Sequence, residues 1–328
     1  MLTRAHIEPY DAISIIGMCK NAGKTTVLNK MLSLFDTNTT LGVTSIGMDG
    51  ETIDIVTSTK KPEIYVRANT IIATAANLVK FCDITKEILA TTGMLTPMGE
   101  VAVIRAVSDG YVRIGGPSMT GQLILLNEIL KKEGANKVFI DGAISRRSLS
   151  APLVSEATIL CAGASYSPDI NTLITDTAHI CELLLLNRSE RFKHGFDKHM
   201  ALYTKDDCII IQRETALCDV LRKNSNVAAV FLKGAVTDAM LKPLLMSGIK
   251  LNGMELCAED ASKFLISSGT ADKIKKKGMQ LTVLRTINLI GVAVNPFNAY
   301  GMSLSASELL SRMSNAVHVP VFDVLAGS

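Results

Sequence analysis

A short stretch near the N-terminus combines the residue types that bind phosphate groups. Residues 13–17 form a β-branched run, a loop follows, and Gly23, Lys24 and Thr25 then open an amphipathic segment. Backbone N–H groups and the positive end of the helix dipole attract anions at a helix N-terminus. The pattern therefore predicts a strand over 13–17, a phosphate-binding loop and a helix over about 24–35.

Each residue type in this loop has a defined chemical task. Lys24 would bridge the β- and γ-phosphates, and the Thr25 hydroxyl would hold Mg²⁺. Gly23 would let the backbone approach the phosphates closely. The predicted nucleotide contacts are Gly17, Asn21, Ala22, Gly23, Lys24, Thr25 and Thr26. The alternative is an ordinary helix N-terminus that contains Gly-Lys-Thr by chance.

A second chemical signal is the run of residues 137–141, which is apolar and ends in Asp141. A carboxylate at the end of a short buried strand holds Mg²⁺, directly or through water, in the Walker B arrangement. Asp141 is therefore a predicted catalytic residue, together with Lys24, and a predicted Mg²⁺ ligand, together with Thr25. The alternative is that Asp141 forms a turn before Gly142, a task that Asn would perform equally well.

Acidic residues also follow the predicted second strand, over 41–48. Asp49 comes first among them, beside Gly50. Ligands bind beyond the carboxyl ends of strands in open α/β sheets. Asp49 is therefore predicted to coordinate Mg²⁺ or to orient a water molecule, with a plain polar turn around Gly50 as the alternative.

The glycine spacing of the loop departs from the usual phosphate-loop pattern, because Met18 stands where a glycine is expected and Gly17 lies one place earlier. Gly17, five residues and then Gly-Lys-Thr resembles the loop of dethiobiotin synthetase-like enzymes. These belong to a larger class of P-loop proteins that includes MinD-type ATPases and metallochaperone GTPases. The signature lysine of the MinD type would fall at Cys19.

Asn295 follows a late apolar strand, predicted over 287–294. In dethiobiotin synthetase-like proteins a similar Asn contacts the base, so the resemblance implies the same contact here. A simple turn before Pro296 is an equal alternative. The guanine-binding pattern Asn-Lys-x-Asp occurs nowhere in the chain, which favours ATP over GTP.

Two further segments, residues 41–51 and 138–146, extend the resemblance. Together with the loop they are similar to a P-loop subunit associated with adenosylcobalamin-dependent lysine 5,6-aminomutase and ornithine 4,5-aminomutase. That subunit is regarded as part of a reactivase, which uses ATP to release damaged cobalamin from the mutase. The resemblance implies ATP and Mg²⁺ as cofactors. It implies the aminomutase and a MutS-like ATPase subunit as partners.

A small-molecule enzyme is the competing hypothesis. Such an enzyme would phosphorylate a carboxylate with ATP and ligate it, as dethiobiotin synthetase does. Residues 60–62 and 151–152 would then line the substrate pocket. A regulatory ATPase without a link to cobalamin is the third possibility.

Alternating strand and helix patterns predict an α/β fold with a mainly parallel sheet, here of the P-loop NTPase type. We expect a P-loop domain over 1–195 and a C-terminal α/β portion over 196–328; the pattern leaves open whether the two are continuous. Helices are predicted at 70–81 and 258–266. Asp109-Gly110 predicts the turn of a hairpin.

Composition limits the remaining classes of function. The 328 residues are 48% hydrophobic, and 34 basic against 31 acidic residues give a net charge of +3. This near-balance predicts neither a nucleic-acid nor a membrane partner. Seven cysteines without a Cys-x-x-Cys pair predict reduced thiols and a cytoplasmic location. Cys19, near a predicted helix N-terminus, is either a reactive thiol or a spacer.

Overall fold

The computed structural model describes residues 1–47, 63–142, 152–195, 199–204, 208–211, 216–224, 226–298, 301 and 303–324. The chain forms two compact units. The first comprises Met1–Ala178 and Asn288–Ser328, and the second comprises His179–Ile287. None of the helices in the described ranges has the length and apolar character needed to cross a membrane.

The strands of the described residues are β1 (Ala12–Gly17), β2 (Leu41–Ser45), β3 (Ile64–Val66), β4 (Ile71–Ala75), β5 (Lys86–Thr96), β6 (Gly99–Ala106), β7 (Gly110–Val112), β8 (Lys137–Asp141), β9 (Ala157–Gly163), β10 (Met200–Tyr203), β11 (Cys208–Ile211), β12 (Ala229–Leu232), β13 (Val236–Thr237), β14 (Glu255–Asp260), β15 (Phe264–Leu265), β16 (Gln280–Arg285), β17 (Leu289–Asn295) and β18 (Val321–Asp323).

The α-helices of the same ranges are α1 (Arg4–Ile7), α2 (Lys24–Ser33), α3 (Ala76–Val79), α4 (Thr120–Lys132), α5 (Ile170–Leu184), α6 (Leu217–Lys223), α7 (Asp238–Met246), α8 (Ser268–Lys276) and α9 (Ala306–Ala316). The boundary between the two units falls within α5.

The first unit is built on a sheet that contains, within the described residues, nine strands in the order β18-β17-β9-β1-β8-β2-β4-β6-β5. The pairings from β18 to β4 are all parallel. Strands β6 and β5 form an antiparallel hairpin at one edge. The fold is therefore mixed α/β with a large, mostly parallel sheet, and the predicted fold class is confirmed at that level.

Strand β1 lies in the middle of this sheet, and all six of its residues are buried. Burial of every residue is expected of a parallel strand that is covered on both faces. Helix α2 follows β1 and presents Val27, Leu28, Met31 and Leu32 to the core. Positions i, i+1, i+4 and i+5 lie on one face of a helix, which explains why this segment packs as an amphipathic helix. The predicted strand, loop and helix order is confirmed.

The predicted helix over 70–81 is wrong for most of its length. Residues 71–75 form β4, which is buried between β2 and β6, and only the short helix α3 follows. A short apolar run fits a buried strand as well as a helix, and its neighbours in the tertiary structure decide between the two.

The hairpin predicted at Asp109-Gly110 is also wrong. Strand β7 pairs with β3 and not with β6, with Tyr65 opposite Tyr111. A Cβ atom on Gly110 would lie 1.9 Å from the carbonyl oxygen of Asp83, so this glycine serves a close backbone approach. The Asp109 carboxylate accepts the N–H of Ala68 at 2.8 Å.

The second unit, taken by itself, has a sheet in the order β11-β10-β12-β14-β16. Strands β12, β14 and β16 are parallel, and β10 and β11 are antiparallel. Phe192 packs between Phe231 and Tyr203 in its core, with ring centroids 5.8 and 5.0 Å away. The helix predicted over 258–266 is wrong, because β14 runs to Asp260 and a 3₁₀ turn and β15 follow.

The domain boundary that we predicted after residue 195 differs from this division. Strands β17 and β18 return to the first unit, where β17 pairs in parallel with β9. The second unit is thus an insertion within the chain of the first. Sequence alternation alone does not reveal which sheet a late strand joins.

The loop over residues 115–118 lies at the carboxyl edge of the large sheet. The Gly116 N–H donates to Ser45 Oγ at 3.2 Å, and the Gly47 N–H donates to the Pro117 carbonyl at 2.9 Å. A Cβ atom on Gly116 would lie 1.9 Å from the Ser45 carbonyl oxygen. The loop can take this position only because residue 116 has no side chain.

We therefore expect Gly116→Ala to lower the free energy of unfolding by about 1–3 kcal/mol, because backbone atoms must move to admit the methyl group. Urea unfolding followed by circular dichroism measures this change. Gly121→Ala in α4 is the matched control, since a Cβ there meets nothing within 4 Å. That control should gain up to about 1 kcal/mol of helix stability. Equal stability of wild type and Gly116→Ala would contradict the close packing.

Candidate functional site

The carboxyl end of β1 lies between two parallel neighbours. Ile15 is aligned with Asp141 of β8, and Gly17 is aligned with Cys161 of β9. Immediately after the strand, the Met18 N–H donates to the Cys161 carbonyl at 3.0 Å. Since the carboxyl ends of parallel strands meet at one edge, the loop and Asp141 lie at the same edge of the sheet.

Two loop residues have left-handed backbone conformations, Asn21 with φ 57° and Gly23 with φ 98°. Asn and Gly adopt this conformation more readily than other residues. Ala22 between them is fully buried. The sequence order Asn21-Ala22-Gly23 therefore suits a sharply turning loop that leads directly into α2.

Lys24 folds back over the loop. Its Nζ donates to the carbonyl oxygen of Cys19 at 3.1 Å. A Cβ atom on Gly17 would lie 2.9 Å from Lys24 Nζ and 3.1 Å from Lys24 Cδ. Gly17 therefore makes room for the Lys24 side chain. The glycine spacing of the loop did not by itself predict this role.

The N-terminus of α2 has the features of an anion site. Gly23 is the N-cap, and no side chain caps the helix. The first intrahelical bond runs from the Val27 N–H to the Gly23 carbonyl at 3.0 Å, so the N–H groups of residues 24–26 precede the helical ladder. The ten-residue helix adds the positive end of its dipole at the same place. Thr25 and Thr26 are partly exposed there.

Met18 stands at the position of the usual glycine, and its side chain contacts α5. Its Sδ lies 2.9 Å from Thr177 Oγ1 in the first-unit part of α5. That hydroxyl also donates to the Leu173 carbonyl at 2.6 Å. The methionine side chain therefore packs against a helix, which explains how the loop accommodates it. No sequence pattern predicted that Thr177 or Cys161 would contact Met18.

Asp141 is the last residue of β8 and is partly exposed, with its Oδ1 atom shielded from solvent. Its carbonyl accepts the Ile46 N–H at 3.1 Å, which fixes its backbone in the sheet. Burial has the largest effect on the nearby Cys161 thiol and raises its pKa, Lys24 lowers that pKa, and Asp141 adds to the rise.

Burial has the largest effect on the pKa of each of the two thiols near Lys24, Cys19 and Cys161. It raises the pKa of Cys161 to about 12 and that of Cys19 to about 11, in each case against a lowering by Lys24. The raised pKa of Cys19 favours the spacer alternative over a reactive thiol, because desolvation of the thiolate outweighs the nearby positive charge.

Asn295 is the last residue of β17 and pairs with Gly163 of β9. Its Nδ2 donates to the Asn21 carbonyl at 3.2 Å, so the side chain contacts the backbone of the loop. The structure thus brings together Gly17, Asn21, Ala22, Gly23, Lys24, Thr25, Thr26, Asp141 and Asn295 at one end of the first unit's sheet.

Asp49 lies outside the described residues, as do residues 60–62 and Ala151, so the structure gives no position for these predicted site residues. Within the described part of the chain, no group of three or more His, Cys, Asp or Glu residues is arranged to hold a metal ion. A site with Thr25 and Asp141 would instead supply one hydroxyl and one carboxylate oxygen, and oxygen atoms are the ligands that Mg²⁺ prefers.

Comparisons of this chain with family models, with curated proteins and with solved structures find no match.

If the loop binds ATP, Lys24→Ala should lower the affinity by about tenfold to a hundredfold, since a hydrogen bond to a charged group contributes about 1.5–3 kcal/mol. The fold should persist, because Lys24 is partly exposed and its side chain makes one hydrogen bond, to a loop carbonyl. Isothermal calorimetry and thermal unfolding measure the two effects. Lys30→Ala, in the last turn of the same helix, is the control. Wild-type affinity in folded Lys24→Ala would exclude the loop as the site.

The raised pKa of Cys19, about 11, predicts slow alkylation at pH 7–8, because the thiol stays protonated there. The rate at Cys19 should increase as the pH approaches 11, provided that the fold is retained. Mass spectrometry after timed iodoacetamide treatment measures the modification of each cysteine. The urea-unfolded protein is the reference, and Cys19 should react there at the rate of an ordinary thiol. Rapid labelling of native Cys19 at pH 7 would contradict the desolvation argument.

Proposed function

We propose that this protein binds and hydrolyses ATP with Mg²⁺ at the loop between β1 and α2. We further propose that it acts as a chaperone, or reactivase, for an adenosylcobalamin-dependent aminomutase. One observation carries the nucleotide proposal: Lys24 folds over Gly17 at the uncapped N-terminus of α2. A lysine ammonium and a row of helix N-terminal amides together form the donor set that a polyphosphate needs.

The residues at this edge fit a magnesium nucleotide. Backbone N–H groups of the loop and of residues 24–26 would donate hydrogen bonds to phosphate oxygens, and Lys24 would bridge the β- and γ-phosphates. Thr25 and Asp141 would hold the ion. When bound, Mg²⁺ neutralises the charge that develops on the transferred phosphoryl group. Hydrolysis adds water across the γ-phosphate bond and yields ADP and inorganic phosphate.

The positive charge of Lys24 is kept available for an anion by its surroundings. A thiolate at Cys19 or Cys161 would offset that charge, but burial keeps both thiols protonated near neutral pH. Within the part of the chain that the structure describes, Asp141 is the carboxylate aligned with the end of β1. This combination of one cation with one carboxylate supports a site for phosphate plus metal.

ATP is the proposed nucleotide, because the sequence has no Asn-Lys-x-Asp pattern for guanine. The reactivase role rests on the resemblance of the loop and of residues 41–51 and 138–146 to the aminomutase-associated subunit. In that role, the ATP and ADP states would differ in affinity for the mutase, and this difference would release damaged cofactor. A MutS-like ATPase subunit is the second proposed partner.

A small-molecule ligase is the alternative, and one observation favours it. The loop over 115–118 packs on Ser45, which is aligned with Asp141, so a second loop borders the carboxyl edge. In a ligase, such a loop would form one wall of a substrate pocket. An ATP-dependent ligase would transfer the γ-phosphate to a carboxylate, and a nucleophile would then displace phosphate from the acyl phosphate.

ATP turnover in the presence of candidate activators separates these functions. A reactivase should hydrolyse ATP faster when the damaged aminomutase is added and should restore mutase activity. A ligase should require a small carboxylate and should ignore the mutase. Turnover that responds to neither would leave a regulatory ATPase. Absence of ATP binding by the wild-type protein would reject all three.

We expect Asp141→Asn to retain nucleotide binding through Lys24 and the loop amides but to lower Mg²⁺-dependent hydrolysis by about two to three orders of magnitude. Asn keeps the shape and hydrogen bonding of Asp but lacks the charge that offsets the metal. A titration of Mg²⁺ against ATP turnover measures the loss. If Asp141 only forms the turn before Gly142, the maximal rate and the Mg²⁺ dependence should both remain unchanged.

A further inference from the structure

Asn295 contacts the loop from a different strand. It ends β17, which is separated from β1 by β9, and its Nδ2 nevertheless donates to the Asn21 carbonyl at 3.2 Å. We propose that Asn295 is a positioning residue, which holds the phosphate loop in its binding conformation and does not recognise the nucleobase. This inference rests on the proposed nucleotide function of the loop.

The backbone of Asn295 is fixed before its side chain reaches the loop. Its carbonyl accepts the Ala164 N–H at 2.9 Å, and its Oδ1 accepts the Phe297 N–H at 3.1 Å. The second of these bonds closes an Asx turn. One end of the side-chain amide is thus used to shape its own turn, and the other end is directed at Asn21.

Two glycines provide the space in which Asn295 lies. A Cβ atom on Gly163 would be 2.9 Å from the Asn295 carbonyl oxygen and 3.0 Å from its Cβ. A Cβ atom on Gly23 would be 3.3 Å from the Asn295 Cβ. A side chain at position 163 would force Asn295 to move, and one at position 23 would require it to shift by a few tenths of an ångström. The glycine that caps α2 is therefore also one that admits the asparagine.

The bond acts on the loop residue with an uncommon backbone conformation. Asn21 has φ 57°, and its carbonyl oxygen points at Asn295. In a trans peptide the following N–H points in the opposite direction, so the bond directs the Ala22 N–H away from Asn295. Asn295 thereby orients a loop amide from outside the phosphate site, whereas a base-reading residue would act on the ligand itself.

Binding of inorganic tripolyphosphate, which lacks a base, separates positioning from base recognition. Calorimetry with Mg²⁺ should show that Asn295→Ala weakens ATP and tripolyphosphate binding by the same factor, about tenfold for one lost hydrogen bond. Asn295→Asp retains the acceptor for Phe297 but loses the donor for Asn21. Asn295→Asp should weaken the binding of ATP and of tripolyphosphate at least as much as Asn295→Ala does. It keeps the test valid if the alanine variant folds poorly.

Asn288→Ala is the matched control. Asn288 precedes the other end of β17, and its Nδ2 donates to the Glu156 carbonyl at 2.8 Å, so the same kind of bond is lost away from the loop. This control should bind both ligands as the wild type does. A third variant, Gly163→Ala, should reproduce the weakening by displacing Asn295.

The possible outcomes are distinct. If Asn295→Ala lowers affinity for ATP but not for tripolyphosphate, Asn295 recognises the base and the positioning role is rejected. Unchanged affinity for both ligands in both Asn295 variants also rejects it, while the nucleotide function stands. A wild-type protein that binds neither ligand overturns the nucleotide function and this inference together.

Discussion

The parallel pairing of β1 with both β8 and β9 is the constraint on which the candidate site depends. The two neighbours run in the same direction as β1, so their carboxyl ends meet where β1 leaves the sheet. The register then sets the chemistry, with Asp141 beside Ile15 and Cys161 beside Gly17. A shift of β8 by one residue would turn its side chains to the opposite face and separate Asp141 from the loop.

At this edge of the sheet, several glycines allow neighbouring atoms to approach the backbone closely. Gly17 admits the Lys24 side chain, Gly163 admits Asn295, and Gly116 admits the backbone of β2. In each case a methyl group would meet another atom at 2.9 Å or less. The contacts of Gly163 and Gly116 join segments that are far apart in the chain, so single glycines decide whether these loops can assemble against the sheet.

Burial also governs the electrostatics near the loop. Desolvation raises the pKa of both neighbouring thiols, to about 11 for Cys19 and about 12 for Cys161, although the charge of Lys24 acts to lower both values. The thiols therefore behave as small apolar groups, with Cys161 buried in the core and Cys19 packed against that core. Asp141, which is aligned with Ile15 of β1, is the carboxylate placed at the same edge of the sheet. The same low-polarity surroundings would strengthen the attraction of Lys24 for a phosphate.

The sequence by itself determined the parts of the site that are local in the chain. The strand, loop and helix around Lys24 and the strand that ends at Asp141 follow from short apolar runs, glycine positions and helix periodicity, and each lies where it was predicted. Local backbone preferences and side-chain periodicity encode such elements directly. The α/β class followed in the same way, from alternation of the two patterns.

Only the tertiary structure decided which distant segments meet. Residues 71–75 form a strand because β2 and β6 lie on either side of them, although their local pattern also fits a helix. Strands β17 and β18 rejoin the first unit after an insertion. Asn295 bonds to a residue 274 positions away. Such contacts depend on the register and order of strands, and no local preference of the chain specifies these.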